Sequence, residues 1–130
     1  MCIFCQIVNK EIPAKIIYED QNVLAILDIS QATKGHFLVM PKEHYVNLLE
    51  VPEKLSAQLM EVTKTLAVQV VDRLQALGCN ILTNINEAAG QTVFHCHIHV
   101  LPRYPEDDLT IKFTTHQEDL DQVLHQITNS

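Results

Sequence analysis

The chain has 130 residues, of which 47% are apolar and 19% are charged, so residues 1–130 suit a single domain and argue against two large ones. Its net charge of −7 repels nucleic acid polymers, so we expect no such partner. No apolar run reaches the ~20 residues of a membrane span and no secretory signal is visible, so we expect a cytoplasmic protein with no membrane partner. Seven histidines are the unusual feature of the composition.

The first third of the chain predicts one short helix and three strands. Residues 2–10 fit the helix, and a proline interrupts the pattern soon after it. Strands are predicted over 15–19, 23–27 and 36–40, where β-branched and apolar residues cluster. The links between these strands are short, which favours an antiparallel meander.

The middle of the chain predicts one long amphipathic helix. Apolar residues three and four apart form its stripe: Leu55, Leu59, Val62, Leu66, Val70, Leu74 and Leu77. Pro52 suits the first turn and Gly78 suits the position after the last turn, which gives a helix of about 37 Å. We expect this helix to cover one face of the sheet, with no catalytic residue on it.

The last third predicts two more strands and a short terminal helix. The strands are expected over 79–84 and 92–101, with a polar loop over 85–90 between them, and the helix over 117–127. The fold class that follows is α+β, with an antiparallel sheet of about five strands, one long helix packed on it and short helices at both ends.

Three histidines alternate with other residues in the last predicted strand. His95, His97 and His99 share one face if the segment is extended, because strand side chains alternate. The outer two would then stand ~13 Å apart, which disfavours one metal ion bound by all three. Neutral imidazole is a nucleophile towards phosphorus, and a neighbouring imidazole can bind a phosphoryl oxygen or protonate a leaving group.

The pattern His-φ-His-φ-His-φ-φ over 95–101, where φ is apolar, resembles the signature of the histidine triad family of nucleotide hydrolases and transferases. Further stretches are similar to the small bacterial branch of that family: Cys2-Ile3-Phe4-Cys5, Glu11-Ile12-Pro13-Ala14, Tyr18-Glu19-Asp20, Leu27-Asp28-Ile29, Gly35 to Lys42, His44, Asn84 and Ala89-Gly90-Gln91-Thr92. The resemblance covers most of the chain and implies a homodimer.

The resemblance assigns a role to each residue of the site. It implies that His97 attacks the α-phosphorus of a nucleotide conjugate and forms a nucleotidyl-histidine that water hydrolyses. His99 would bind a phosphate oxygen and help to protonate the leaving group. The implied phosphate-contacting loop consists of Asn84, Gly90, Gln91 and Thr92. Asp28 would accept hydrogen bonds from the ribose, and the implied walls of the base site are Ile12, Ile26 and Ile29.

Two features of these segments leave alternatives open. Taken alone, the loop fits a glycine turn between strands, and Asp28 fits a turn or cap residue. Asn86 and Glu87 stand where relatives often have glycine; asparagine tolerates a positive φ, whereas Glu87 makes the rim more acidic. The leaving-group preference therefore stays open.

A second constellation predicts a metal site. Cys2, Cys5, His44 and His95 form the ligand set of a closed Cys₂His₂ zinc site, and cysteines in a cytoplasmic protein favour metal ligation or free thiols. The resemblance implies one structural zinc ion held by these four residues. Two buried thiols near a chain terminus are the alternative. His36 is expected to make hydrogen bonds in the core.

Three classes of function are compatible with these patterns. The leading one is a hydrolase that cleaves nucleoside phosphoramidates or dinucleoside polyphosphates, with a purine nucleotide preferred. A purine-nucleotide-binding regulator with little turnover is the rival. A metal-storage or copper-handling protein is the third, but the chain lacks the repeated Met or Cys motifs expected for it.

Overall fold

The computed structural model describes residues 2–129 and contains three helices and five strands within them. In chain order these are α1 (Ile3–Val8), β1 (Ile16–Glu19), β2 (Val23–Leu27), β3 (Phe37–Pro41), α2 (Glu53–Arg73), β4 (Gly78–Leu82), β5 (Ile98–Arg103) and α3 (Leu120–Thr128). Single 3₁₀ turns lie at Leu48–Glu50 and Glu87–Ala89. The predicted α+β fold is confirmed.

The five strands form one antiparallel sheet in the order β1-β2-β3-β5-β4. The first three strands make the predicted meander, and β5 pairs with β3 on one side and β4 on the other. In this register His99 lies between Leu38 and Leu82, inside the sheet. The fold therefore places one histidine of the triad where its backbone is held from both sides.

The sheet is covered on both faces, because alternate side chains of β2 and β3 enter two different cores. The core beneath α2 contains Val23, Ala25, Phe37, Val39, Leu59, Leu66 and Ala67. The core beneath α1 contains Phe4, Ile7, Leu24, Ile26, Leu38 and Met40. Burial on both sides explains why β2 and β3 have continuous apolar sequences and no polar alternation.

The long helix ends earlier than its apolar stripe predicts. It has 21 residues, about 31 Å, and stops at Arg73. Gln75 adopts a left-handed φ of 57°, and the N–H groups of Gln75 and Ala76 donate to the carbonyls of Asp72 and Val71. This is a Schellman ending, with glutamine at the position where Gly78 was predicted. Gly78 instead begins β4.

The last strand begins later than predicted and continues further. Residues 92–97 are not strand, and β5 starts at Ile98. The backbone N–H of Cys96 donates to the Tyr45 carbonyl, in a loop, at 2.7 Å. The strand continues through Pro102. Pairing with β3 ends at Val100, so at Pro102 the strand pairs only with β4, and proline is tolerated because no strand on the other side needs its N–H. His95 and His97 therefore precede the strand.

The second strand has the predicted bounds, and the remaining boundaries differ from the predicted ones by a few residues. Asp119 caps α3 by accepting a hydrogen bond from the Gln122 N–H at 3.2 Å, so this helix begins at Leu120.

Among residues 2–129, no helix combines the length and apolar character needed to cross a membrane.

Gly35, just before β3, has a left-handed φ of 90°, and an added Cβ would overlap Cδ1 of Leu74. We expect Gly35→Ala to lower the free energy of unfolding by about 1–3 kcal/mol, because alanine disfavours this φ. Gly78→Ala is the matched control, since a Cβ there meets no atom within 4 Å. Urea unfolding measures both variants, and equal midpoints would contradict the prediction.

Candidate functional site

A cavity of about 450 Å³ lies on the face of the sheet that α1 covers. The predicted catalytic and nucleotide-binding residues that line it are Ile12, Ile26, Asp28, Ile29, Asn84, Gly90, Thr92, His97 and His99. Gln91 is the one residue of that predicted set that does not line the cavity. The lining is mostly apolar and includes a few polar groups, which is typical of a small-molecule site.

His97 is buried, and one of its two ring nitrogens is already engaged. Nδ1 lies 2.7 Å from the His95 carbonyl, and because a carbonyl only accepts, Nδ1 carries the hydrogen. Nε2 therefore keeps its lone pair. Phe4 packs edge-on against the ring at a centroid distance of 4.9 Å. Burial lowers the pKa of His97, opposed by the His95 carbonyl and Asp28, and this favours the neutral ring.

His99 lies beside His97. Its other neighbour is His36, the residue directly before β3. The rings of His97 and His99 are 4.9 Å apart, and Nδ1 of His99 is 3.0 Å from Nε2 of His36. Burial, followed by the charges of His97 and His36, lowers the pKa of His99 to about 4. The ring is therefore neutral at neutral pH.

Asp28 follows β2 at the edge of the cavity. One carboxylate oxygen accepts a hydrogen bond from the Ser30 N–H at 2.8 Å, and the other is 3.5 Å from Nε2 of His36. Asp28 is thus a turn residue and a cavity residue at once. Of the predicted base walls, all three line the cavity; Ile26 is 3% exposed, whereas Ile29 is 98% exposed and so lines the cavity at its open side.

The loop between β4 and β5 keeps its shape through the Gln91 side chain. This side chain is buried; its oxygen accepts from the Asn86 N–H at 2.8 Å, and its nitrogen donates to the carbonyls of Val46 and Val93. Gln91 therefore holds the loop and does not face the cavity. Asn86 has a φ of 71°, which fits the expectation that asparagine replaces glycine there.

Sequence reasoning missed the contribution of α1 to the cavity. Ile3, Phe4 and Ile7 line it, and Phe4 touches the rings of both His95 and His97. The spacing of these residues, three and four apart on one helical face, was the available signal. His36 was predicted only as a core residue, and the structure places it beside His99.

The four predicted metal ligands come together. Their candidate ligand atoms all lie within 4.8 Å of one another. Nδ1 of His44 is 3.2 Å from Nδ1 of His95, and the sulfur–nitrogen distances are 3.4 Å from Cys5 to His44 and 3.5 Å from Cys2 to His95. A tetrahedral zinc ion requires about 3.3 Å between two nitrogens and about 3.6 Å between sulfur and nitrogen. The donor set fits such an ion.

The orientation of His95 supports the same conclusion. Its Nε2 lies 2.8 Å from the Pro41 carbonyl and so carries the hydrogen, which leaves the Nδ1 lone pair directed at Cys2, Cys5 and His44. Histidine ligands of metals commonly donate their other N–H to a carbonyl in this way.

The fold and the site define the class: a small α+β protein with spaced histidines between a cavity and a Cys/His cluster. A family model of the HIT domain matches residues 9–106, and the chain belongs to this family. It is 48% identical to an uncharacterized HIT-like protein of Methanocaldococcus jannaschii over 98% of both chains. A solved structure from Streptococcus mutans is 46% identical, with a TM-score of 0.92 over 97% of this chain and 82% of that one.

Two further structures of the family bear on chemistry. A zinc-bound histidine triad family protein from Mycobacterium smegmatis is 42% identical, with a TM-score of 0.80 over 96% of this chain and 91% of that one. A HIT family hydrolase from Clostridium thermocellum is 39% identical, with a TM-score of 0.70 over 85% of this chain and 96% of that one.

Proposed function

We propose that the protein hydrolyses nucleotide conjugates at the α-phosphate, through a nucleotidyl intermediate on His97. The observation that carries this proposal is the Nε2 lone pair of His97, left free in a nucleotide-sized cavity because Nδ1 donates to the His95 carbonyl. The similarity to a HIT family hydrolase supports it. The substrate class comprises nucleoside phosphoramidates and dinucleoside polyphosphates, with a purine base against Ile12, Ile26 and Ile29.

In the proposed first step, Nε2 of His97 forms a bond to phosphorus, and the leaving group departs with the electron pair of its own bond. The imidazole gains a positive charge, which the Nδ1–H hydrogen bond to the His95 carbonyl stabilises. Water then attacks phosphorus and loses a proton, and the phosphorus–nitrogen bond breaks with its electron pair returning to Nε2, which restores the neutral ring. The proton that water loses balances the one that the leaving group takes up.

The surrounding groups act on the phosphate and the ribose. His99 binds a phosphate oxygen and assists the departure of the leaving group, and Asn84, Gly90 and Thr92 contact the phosphate from the loop. Such donors stabilise charge that grows in the transition state. Asp28 accepts hydrogen bonds from the ribose hydroxyls. Gln91 supports the loop through its buried amide, which is the change that the structure makes to the predicted site.

The test of this function is to trap the intermediate. A nucleoside phosphoramidate substrate and rapid quenching should give an adduct of one nucleotidyl group, which mass spectrometry maps to His97. We expect His97→Ala to lose the adduct and at least about 10³-fold in kcat, since nothing replaces the nucleophile. His116→Ala is the control, because His116 is exposed.

Undiminished turnover in His97→Ala would contradict the proposed nucleotidyl intermediate on His97. Calorimetry with AMP distinguishes the rival function: tight binding with negligible hydrolysis by the unaltered chain supports a nucleotide-binding regulator instead of an enzyme.

We also propose that Cys2, Cys5, His44 and His95 bind one structural zinc ion. The tetrahedral spacing of their ligand atoms supports this, as does the zinc-bound relative. A bound ion would join α1 to the segment that follows β3 and to the triad. Four free cysteines among residues 2–129 fit the reducing cytoplasm, which is the location we propose.

Elemental analysis tests the zinc proposal. We expect about one zinc ion per chain in protein purified without chelator, and almost none in His44→Ala, because three ligands hold zinc weakly. A chelator should lower the Tm of the unaltered protein and leave that of His44→Ala unchanged. His125→Ala, which removes an exposed histidine, serves as the control. Absence of zinc in the unaltered protein, even after reconstitution, contradicts the proposal.

A homodimer is the proposed assembly, and the tail beyond β5 supports it. Arg103 donates to the Asp107 carboxylate and to the Leu109 carbonyl, so the tail leaves the sheet at a fixed point. Beyond it, α3 has no buried residue, and Leu120 and Leu124 are 77% and 59% exposed. A nine-residue helix needs packing to be stable in water, and a second copy of the chain provides it.

Analytical ultracentrifugation tests the dimer. We expect the unaltered chain to sediment as a dimer at micromolar concentration, and Leu120→Glu/Leu124→Glu to shift it towards the monomer, because charges disfavour an apolar interface. Gln122→Glu/Gln126→Glu adds the same charge at exposed polar positions and should remain dimeric. Equal dissociation of both variants would show that charge alone is responsible.

A further inference from the structure

The four cysteines of the chain fall into two groups, one on each face of the sheet. Cys96 belongs to the core beneath α2 and Cys79 packs against that core, whereas Cys2 packs against the core beneath α1, three residues before Cys5. Cys96 is 1% exposed, and burial raises its pKa to about 11. A buried thiol that stays protonated is chemically inert. The reactive pair on the α1 face is therefore Cys2 and Cys5.

The sulfur atoms of Cys2 and Cys5 lie close enough to be joined. Like all the candidate ligand atoms of the Cys/His cluster, they are within 4.8 Å of each other. The N–H of Cys5 donates to Sγ of Cys2 at 3.4 Å, so the Cys2 side chain is already directed back towards Cys5. Residues three apart on a helix have Cβ atoms about 5–6 Å apart, and a disulfide needs about 4 Å. A small adjustment within one turn closes this gap.

The pair is also open to small solutes. Both cysteines are half-buried, and His44, whose Nδ1 is 3.4 Å from Sγ of Cys5, is exposed. A molecule of the size of hydrogen peroxide can approach the sulfurs from this side. Because Cys79 and Cys96 lie on the other face of the sheet, each sulfur of the pair has the other as its available partner.

We propose that Cys2 and Cys5 are a redox-modification site, at which hydrogen peroxide reversibly joins the two sulfurs in a disulfide. One thiolate attacks a peroxide oxygen, the O–O bond breaks, and a sulfenic acid and a hydroxide ion form. The second thiolate attacks the sulfenic sulfur, the S–S bond forms, and the S–O bond breaks with loss of a second hydroxide. The sulfurs give up two electrons, the peroxide takes them up, and two protons from the solvent convert the hydroxides to water.

Oxidation of this pair affects the cavity through α1. Ile3 and Phe4 lie between the two cysteines and line the cavity, and Phe4 packs on the ring of His97 at 4.9 Å. A disulfide offers no thiolate, and His44 and His95 alone hold zinc weakly, so α1 loses its metal link to both. This consequence rests on the proposed zinc site and the proposed reaction, whereas the formation of the disulfide does not.

Mass spectrometry and a chromogenic zinc chelator test the site in the zinc-loaded protein. After treatment with hydrogen peroxide, we expect a disulfide between Cys2 and Cys5, reduced thiols at Cys79 and Cys96, and about one zinc ion released per disulfide. Dithiothreitol with zinc should restore the starting state. Cys79→Ser is the matched control and should form the same disulfide, whereas Cys5→Ser should form none.

The unaltered protein alone is enough to overturn the proposal. A disulfide that includes Cys79 or Cys96 does so, as does a pair that stays reduced or passes to sulfinic acid without forming a disulfide. Failure of dithiothreitol to regenerate the thiols also contradicts it. If the protein holds no zinc before oxidation, the zinc proposal fails, and the mapped disulfide still decides whether Cys2 and Cys5 are the modification site.

Hydrogen exchange and kinetics test the link to the cavity. We expect the amides of α1 to exchange at least about tenfold faster in the oxidised protein, because the helix loses its metal link. KM for a nucleoside phosphoramidate should rise about three- to tenfold as the cavity wall loosens. Unchanged exchange in α1, or changes that dithiothreitol and zinc do not reverse, refute the link. If the unaltered protein hydrolyses no conjugate, the proposed function fails, and the exchange rates still decide the link.

Discussion

Three buried imidazoles each give one ring nitrogen to a backbone group, and this constraint determines what the other nitrogen can do. Nε2 of His95 donates to the Pro41 carbonyl, Nδ1 of His97 donates to the His95 carbonyl, and Nδ1 of His36 accepts from the Ala32 N–H. An acceptor in the backbone leaves a lone pair on the far nitrogen, as the proposed zinc ligand His95 and the proposed nucleophile His97 require. A backbone donor leaves a hydrogen on the far nitrogen. In His36 this hydrogen forms a hydrogen bond to His99. Chemically identical side chains are thus differentiated by the peptide groups they face.

The helix α1 joins the two sites that these imidazoles serve. Cys2 caps the helix, its sulfur accepting from the Cys5 N–H, and both cysteines point at His95. One turn carries Phe4 into contact with the rings of His95 and His97 and into the core of β2 and β3. Loss of the Cys/His cluster would therefore loosen the wall of the cavity as well as the chain terminus. Stability and the geometry of the cavity are coupled through a helix of six residues.

Much of the fold follows from local patterns, and the exceptions have local causes. The apolar runs of β2 and β3, the stripe of α2 and the alternation of the triad predict the sheet, the helix and the spaced imidazoles. The end of α2 is not predictable in this way, because glutamine at position 75 takes a conformation that usually belongs to glycine. The start of β5 depends on a loop carbonyl at Tyr45, far away in sequence. The inward direction of Gln91 likewise depends on partners that no spacing rule reveals.

The net charge of −7 and the proposed binding of an anion are compatible because of how the cavity is built. Its lining contains no lysine or arginine, and Asp28 is its one ordinary charge. Phosphate would meet neutral imidazoles, amide groups and loop N–H donors in a largely apolar space. Such donors bind an anion less strongly than cations do, but they strengthen as charge builds on the phosphoryl oxygens, so they favour the transition state over the bound conjugate.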